Sequence, residues 1–136
     1  MIDTVSVVLF SKKSHIKIAR SVLRDFLQMH ESSDSLIVDM EIVLGEILAN
    51  VIKHTYKNDE TKRIIVSYTL KDEVFHMLVR DFGPPVDPTR LKPMPPDLEN
   101  PREGGYGFYI ISRVTDEFRV RPLRNGNLTV VKKKLR

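Results

Sequence analysis

Residues 81–105, DFGPPVDPTRLKPMPPDLENPREGG, hold seven of the chain's eight prolines and follow neither a helical nor a strand period. Proline has no backbone N–H and fixes its own φ, so neither a helix interior nor a central strand accommodates such a run. The segment is therefore a loop, and the regular elements lie before and after it. A loop of this length inside a compact domain is usually functional or disordered. With 136 residues in all, one domain with one core is expected.

Before the loop, residues 2–10, IDTVSVVLF, begin with apolar–polar alternation and are rich in β-branched side chains, which reads as a strand. Ser14 stands as the N-cap of a helix over about 15–30, with Ile18, Val22, Phe26 and Leu27 on one face. After the polar break HESSDS, a second helix is expected from about 35 to 56. RIIVSYTL (63–70) and EVFHMLVR (73–80) read as a hairpin around Lys71 and Asp72. Beyond the loop, YGFYIISRV reads as a helix opening just after glycines. EFRVRPL and LTVVKKKL flank RNGN, an Asn-Gly turn signal. The order β-α-α-β-β-loop-α-β-β, with hairpin-linked strands, predicts an α+β two-layer sandwich. Three helices would cover one face of a mixed, mainly antiparallel sheet.

Composition narrows the function classes. There is no cysteine, which excludes a disulfide scaffold and a thiolate metal site. No apolar run is long enough for a transmembrane helix, and the N-terminus lacks the pattern of a signal peptide. A cytoplasmic location is the expectation, with no membrane contact. Part of the net charge of +4 sits in VVKKKLR, read as a solvated strand end. It lacks the aromatic–basic interleaving of single-strand binders, so no direct nucleic-acid contact is expected.

The second helix poses the sharper question. GEILANVIKHTY (45–56) places Gly45 and Asn50 mid-helix, where glycine costs roughly 1 kcal/mol relative to alanine. At 100° per residue, Ile37, Met40, Leu44, Ile47, Leu48 and Val51 form an apolar face. Asp39, Val43, Glu46, Asn50 and Lys53 fall on a stripe roughly opposite. Glu46 and Asn50 are four apart and therefore stacked. A neutral hard oxygen beside a carboxylate suits a magnesium–nucleotide site, with Asn50 toward the metal, Glu46 as a base and Lys53 toward a phosphate. An ordinary polar face is the alternative reading of the same stripe. His54 has no partner at metal-ligand spacing and is read as packing or surface.

Two glycine-bearing segments add to this. Asp81, at a predicted strand end, can accept a hydrogen bond from an exocyclic amino group, and Gly83 would let backbone approach a flat base. Gly104, Gly105 and Gly107 cluster just ahead of a helix, where free N–H groups and the helix dipole favour phosphate. No Gly-Lys-Ser/Thr follows, so this is not a Walker loop.

Glu46-x-x-x-Asn50, then Asp81-x-Gly83, then Gly104-Gly105-x-Gly107 resemble, in order and spacing, the GHKL ATPase superfamily. Small size, VIKHTY after the asparagine and the terminal hairpin make the resemblance nearest to the bacterial anti-sigma factor serine/threonine kinases, over about residues 5–135. The resemblance implies a Bergerat-type ATP-binding fold, binding of ATP or ADP with Mg2+, and a lid over 84–103. It implies Glu46 as catalytic base and Asn50 as the Mg2+ ligand. It implies Asp81 and Gly83 at the adenine, with Gly104, Gly105 and Gly107 around the phosphates and Tyr106 and Phe108 among the nucleotide-binding residues. Arg102, near the lid's end, is the candidate cationic finger.

The sequence departs from the pattern at Pro85, where many members carry a second glycine, and at the bulky Phe108 and Tyr109. No phosphoacceptor-histidine hairpin is read ahead of the domain, so a complete histidine kinase is not the expectation. The implied function is phosphorylation of an anti-anti-sigma (STAS) partner, together with sequestration of a sigma factor by a homodimer. A sigma-binding surface would involve the first helix, where Arg20 and Arg24, four apart, would present a basic face to an acidic partner; ordinary solvated surface is the alternative. A catalytically weak, nucleotide-gated binding module is the alternative.

Overall fold

The computed structural model describes residues 1–87 and 106–135, and of Tyr106 only the backbone. Its elements are β1 (Ile2–Phe10), α1 (Lys13–Met29), α2 (Asp34–Asn50), a π-helical turn (Val51–Thr55), β2 (Arg63–Lys71), β3 (Val74–Asp81), α3 (Tyr106–Val114), β4 (Glu117–Leu123) and β5 (Gly126–Lys134). Residues 88–103 of the expected lid, with Arg102, and residues Gly104 and Gly105 lie outside the described residues.

The five strands form one sheet in the order β1-β2-β3-β5-β4. Every neighbouring pair is antiparallel, so the sheet is not mixed. The helical pair α1–α2 brings the chain back so that β2 runs against β1, and the other links are hairpins or the α3 excursion. Pro122 lies in β4, an edge strand, where a missing N–H costs no central ladder bond. The β2–β3 turn is Asp72-Glu73, one residue later than expected. Both residues have positive φ, the demand of a two-residue turn matched to strand twist.

Alternate residues of β2 and β3 point at the helices. Ile64, Val66, Tyr68, Phe75, Met77 and Val79 are essentially inaccessible. Burying each such side chain contributes about 1.5–3 kcal/mol before entropy is counted. The Tyr68 hydroxyl donates to the Ala19 carbonyl at 2.7 Å, which binds α1 to the sheet. Helix α1 begins at Lys13 with Lys12 at its N-cap, so Ser14 is inside the helix and does not cap it. Its buried face is Ala19, Leu23, Phe26 and Leu27. Ile18, expected on that face, is exposed because the i, i+4, i+7 series of Ala19 sets the contact.

Helix α2 differs most from its expected amphipathic form. Ser33 caps it, accepting a hydrogen bond from the Leu36 N–H at 3.2 Å. The predicted apolar residues are buried, but so are Val43 and Gly45. Val43 therefore does not belong to a polar stripe. The cause is position: α2 is the middle helix of its layer, with α1 on one flank and α3 on the other. The α-helix also stops at Asn50, and the single π turn follows, closed by Tyr56 N–H donating to Val51 O at 2.8 Å. Gly45 gives room to a side chain rather than to neighbouring backbone, since a Cβ there would strike the Arg20 guanidinium. The next contact along the α1–α2 seam is the Arg24–Glu41 ion pair at 2.7 Å.

The terminal hairpin turns at Arg124-Asn125, and Gly126 already pairs with Leu123 as the first residue of β5. The Asn-Gly signal thus marked the hairpin but not its turn pair. Gly126 has φ +135°, and a Cβ would collide with the Asp81 carbonyl oxygen and the Arg80 guanidinium. Gly126→Ala is expected to cost about 1–3 kcal/mol of stability, as a residue forced into a glycine-only backbone region. Urea denaturation of the variant against the wild-type chain measures it.

Candidate functional site

The carboxyl end of α2, the π turn, the end of β3, the start of α3 and the last hairpin converge on one cavity of about 230 Å³. Asn50 and Ile47 enter it from α2, and Val51, His54 and Thr55 from the π turn. Asp81 closes it at the end of β3, with Asn127 and Thr129 beside it on β5. Phe108 from α3 and Phe118 from β4 supply an aromatic wall, their rings 5.8 Å apart. The π turn brings three consecutive-region residues, Val51, His54 and Thr55, to the same wall. Such turns occur disproportionately at functional sites.

Asp81 is 2% exposed. Burial pushes its carboxyl above the usual carboxylate range, while the Asn127 amide, the Gly83 N–H and the Arg80 charge pull it back. Oδ1 accepts from Gly83 N–H and from Asn127 Nδ2, both at 3.0 Å. Oδ2 takes neither of these two bonds. A buried carboxylate at a cavity wall, flanked by apolar side chains, suits a flat base that offers an amino group.

The root of the loop is anchored side chain by side chain. Pro84 and Pro85 have no N–H, so Phe82, Gly83 and Val86 supply the only backbone donors between 82 and 86. Each is bonded to a different side chain. Phe82 N–H donates to the Tyr56 hydroxyl at 2.7 Å, Gly83 N–H to Asp81, and Val86 N–H to Asn127 Oδ1 at 2.8 Å. The Tyr56 hydroxyl in turn donates to the Arg63 carbonyl at 2.5 Å. Arg80 sits over the Phe82 ring at 4.4 Å and donates to the carbonyls of Asp81 and Asn125.

The sequence-derived residues distribute as follows. Asn50, Asp81 and Phe108 meet in the cavity. Glu46 does not line it; its carboxylate lies against the first turn of α3, where a Cβ on Gly107 would collide with Oε2. Gly107 thus makes room for Glu46 within α3. Gly83 lies against the Thr55 methyl and not on the cavity wall. Lys53 is exposed on the π turn and also off the wall. His54, read as packing or surface, does reach the wall. Asn127, Thr129 and Tyr56 were not found from sequence. A signal existed for two of them: Asn127, Thr129 and Val131 alternate along β5, so polar residues stand at core-facing positions of a strand.

Asn50 lines the cavity, and an asparagine amide offers the kind of hard neutral oxygen that Mg2+ accepts while keeping water and phosphate ligands. Among the described residues, no three His, Asp or Glu side chains gather to hold a cation alone. The donor set therefore fits a cation held jointly with a bound phosphate.

A histidine kinase-like ATPase domain model matches residues 9–133. The chain is 31% identical to an anti-sigma F factor of Geobacillus stearothermophilus over 121 residues, 85% of this chain and 81% of that one. It is 27% identical to the serine-protein kinase RsbW of Listeria monocytogenes over 126 residues, 88% of this chain and 80% of that one. Among solved structures, the RsbU and RsbW domains of Rv1364c from Mycobacterium tuberculosis superpose with a TM-score of 0.71 at 17% identity. That match covers 98% of this chain and 32% of the other, so this chain spans about a third of that protein. The SiaB–SiaC complex of Pseudomonas aeruginosa gives 0.68 at 16% identity, over 95% of this chain and 87% of the other. With the whole sandwich matched and Asn50 and Asp81 brought to one cavity, the chain belongs to the histidine kinase-like ATPase domain family, in its group of anti-sigma factor serine kinases.

Proposed function

We propose that this chain is an ATP-dependent serine/threonine protein kinase that binds a sigma factor and phosphorylates an anti-anti-sigma partner of the STAS type. The observation that carries the reading is the cavity in which buried Asp81 faces Asn50, with Glu46 one helical turn further along the same helix. Adenine would enter between the aromatic wall and β5, its amino group donating to Asp81. The phosphates would then run past Asn50 toward the start of α3, where Gly104, Gly105, Tyr106 and Gly107 stand in sequence. Asn50 would hold Mg2+, which when bound neutralises charge on the phosphate oxygens.

In the transfer, Glu46 takes the proton of the partner's hydroxyl as that oxygen bonds to the γ-phosphorus. The bond from the γ-phosphorus to the β–γ bridging oxygen breaks, and ADP leaves with the electron pair. Lys53 and Arg102 are the candidate cations for the developing charge. A sigma-binding surface would involve α1, where Arg24 is paired with Glu41 and Arg20 lies over Gly45.

Glu46→Gln is expected to leave ATP and ADP affinity within about twofold of wild type and to reduce transfer to a cognate partner by about 10²–10⁴, the usual contribution of a general base. Asn50→Ala is expected to abolish the magnesium dependence of nucleotide binding. Calorimetric titration and a radiolabelled transfer assay read both. Magnesium-dependent binding without transfer to any partner would favour a nucleotide-gated binding module instead.

Asp81 supplies a pH test. Its folded-state pKa is raised, so folding favours the protonated form, and the cost of keeping the carboxylate is felt fully above that raised value. The cost is relieved as pH falls through it. Adenine recognition runs the other way, since only the ionised form is acceptor alone. Nucleotide affinity is expected to fall on acidification through the raised pKa while stability gains from the same titration. In Asp81→Asn, Oδ1 would stay with Gly83 and Asn127, turning Nδ2 toward the base amino group, donor against donor. That variant is expected to be at least as stable as wild type at neutral pH. It is expected to bind adenine nucleotide about tenfold or more weakly, the worth of a charge-assisted hydrogen bond.

A further inference from the structure

Asn127 is the most connected side chain at the cavity that the reading above leaves without a role. It is 1% exposed. Both hydrogens of its amide are used: Nδ2 donates to Asp81 Oδ1 and to the Pro84 carbonyl, each at 3.0 Å. Its Oδ1 accepts from Val86 N–H at 2.8 Å. These three bonds fix which way the amide faces, because a flip would set like against like at all three partners.

Their targets are the carboxylate on the cavity wall and the backbone on either side of Pro85. With two prolines, the loop root has few N–H groups with which to bind itself, and the Asn127 amide supplies the missing tie. Asn127 stands directly opposite Asp81 in the β3–β5 ladder, so its side chain reaches both without distortion. Gly126, just before it, lets the hairpin approach the Asp81 backbone closely enough for this.

We propose that Asn127 is a positioning residue for base recognition. It holds Asp81 Oδ1 so that Oδ2 is turned toward the base amino group, and it ties the loop root at 84–86 to that same carboxylate. The proposal rests on the reading of the cavity as an adenine site. Its consequence is that selectivity for an amino-bearing base depends on a residue that does not itself have to touch the base. A residue that only supported the strand would change stability but would not change which base is preferred or the pH at which binding fails.

The test is calorimetric titration of ADP and of inosine diphosphate, which carries a carbonyl in place of the amino group, across a pH series. It uses the wild-type chain, Asn127→Leu, and Asn127→Ser as the milder change should the leucine variant not fold. The wild-type chain is expected to prefer ADP. In the Asn127 variant that preference should shrink by about tenfold or more, the worth of a hydrogen bond to a charged group. The pH at which ADP binding fails should move upward, because the ionised Asp81 has lost a donor. An ADP preference and a pH profile both unchanged in a folded variant would overturn the proposal. A wild-type chain that binds neither nucleotide, or both alike, would instead overturn the adenine reading and the proposal with it.

Discussion

Helix α2 is covered on three sides, and most of the molecule follows from that constraint. The sheet lies beneath it and α1 and α3 lie on its flanks, so Met40, Val43, Leu44 and Leu48 have no access to solvent. On its covered sides such a helix meets polar side chains only where a residue leaves room. Glycine supplies that room twice. Gly45, on α2 itself, accommodates the Arg20 guanidinium, and Gly107 on α3 accommodates the Glu46 carboxylate. Past Asn50 the helix widens into the π turn, and this widening brings His54 and Thr55 to the cavity wall along with Asn50.

Asp81 shows what burying a carboxylate costs and how the fold offsets it. Taking a carboxylate out of water is unfavourable, and its raised pKa expresses that. The fold offsets part of the cost with hydrogen bonds from Gly83 and Asn127. Those same bonds direct the second oxygen. The Tyr56 hydroxyl and the Arg80 guanidinium complete the arrangement by satisfying the backbone around Phe82. The loop root is therefore a bonded structure, although a sequence of Asp-Phe-Gly-Pro-Pro reads as a bare turn. The side-chain ties at Phe82, Gly83 and Val86 are where this chain gains the order that its prolines cannot provide through N–H groups of their own.

The element order, the strand pairs and the helix of Tyr106–Val114 were legible because each rests on local periodicity and turn chemistry. Asn50 and Asp81 were legible together because their spacing matched a known pattern, and both line the cavity; Phe108, a departure from that pattern, lines it too. Other features were not legible. Val43 looked like part of a solvent-facing stripe because a helical wheel assumes one buried side, whereas α3, more than fifty residues later in the chain, covers a second. Ser14 looked like a cap although the helix had already begun at Lys13. Asn127 was hidden in a turn signal because the register of β5 is set by pairing with β3 and β4, which no local window contains.

The sequence by itself determined the class of fold, the break at residues 81–105 and the residue types able to handle a nucleotide. These depend on φ preferences, periodicity and side-chain chemistry, all properties of neighbouring residues along the chain. Tertiary structure alone decided that the sheet is wholly antiparallel, that Glu46 rests against Gly107, and that Asp81 is buried with its first oxygen bonded to Asn127. Each of these is a contact between residues far apart in sequence. The energy of such a contact comes from excluding water and from directed hydrogen bonds, and neither exists until the layers have packed.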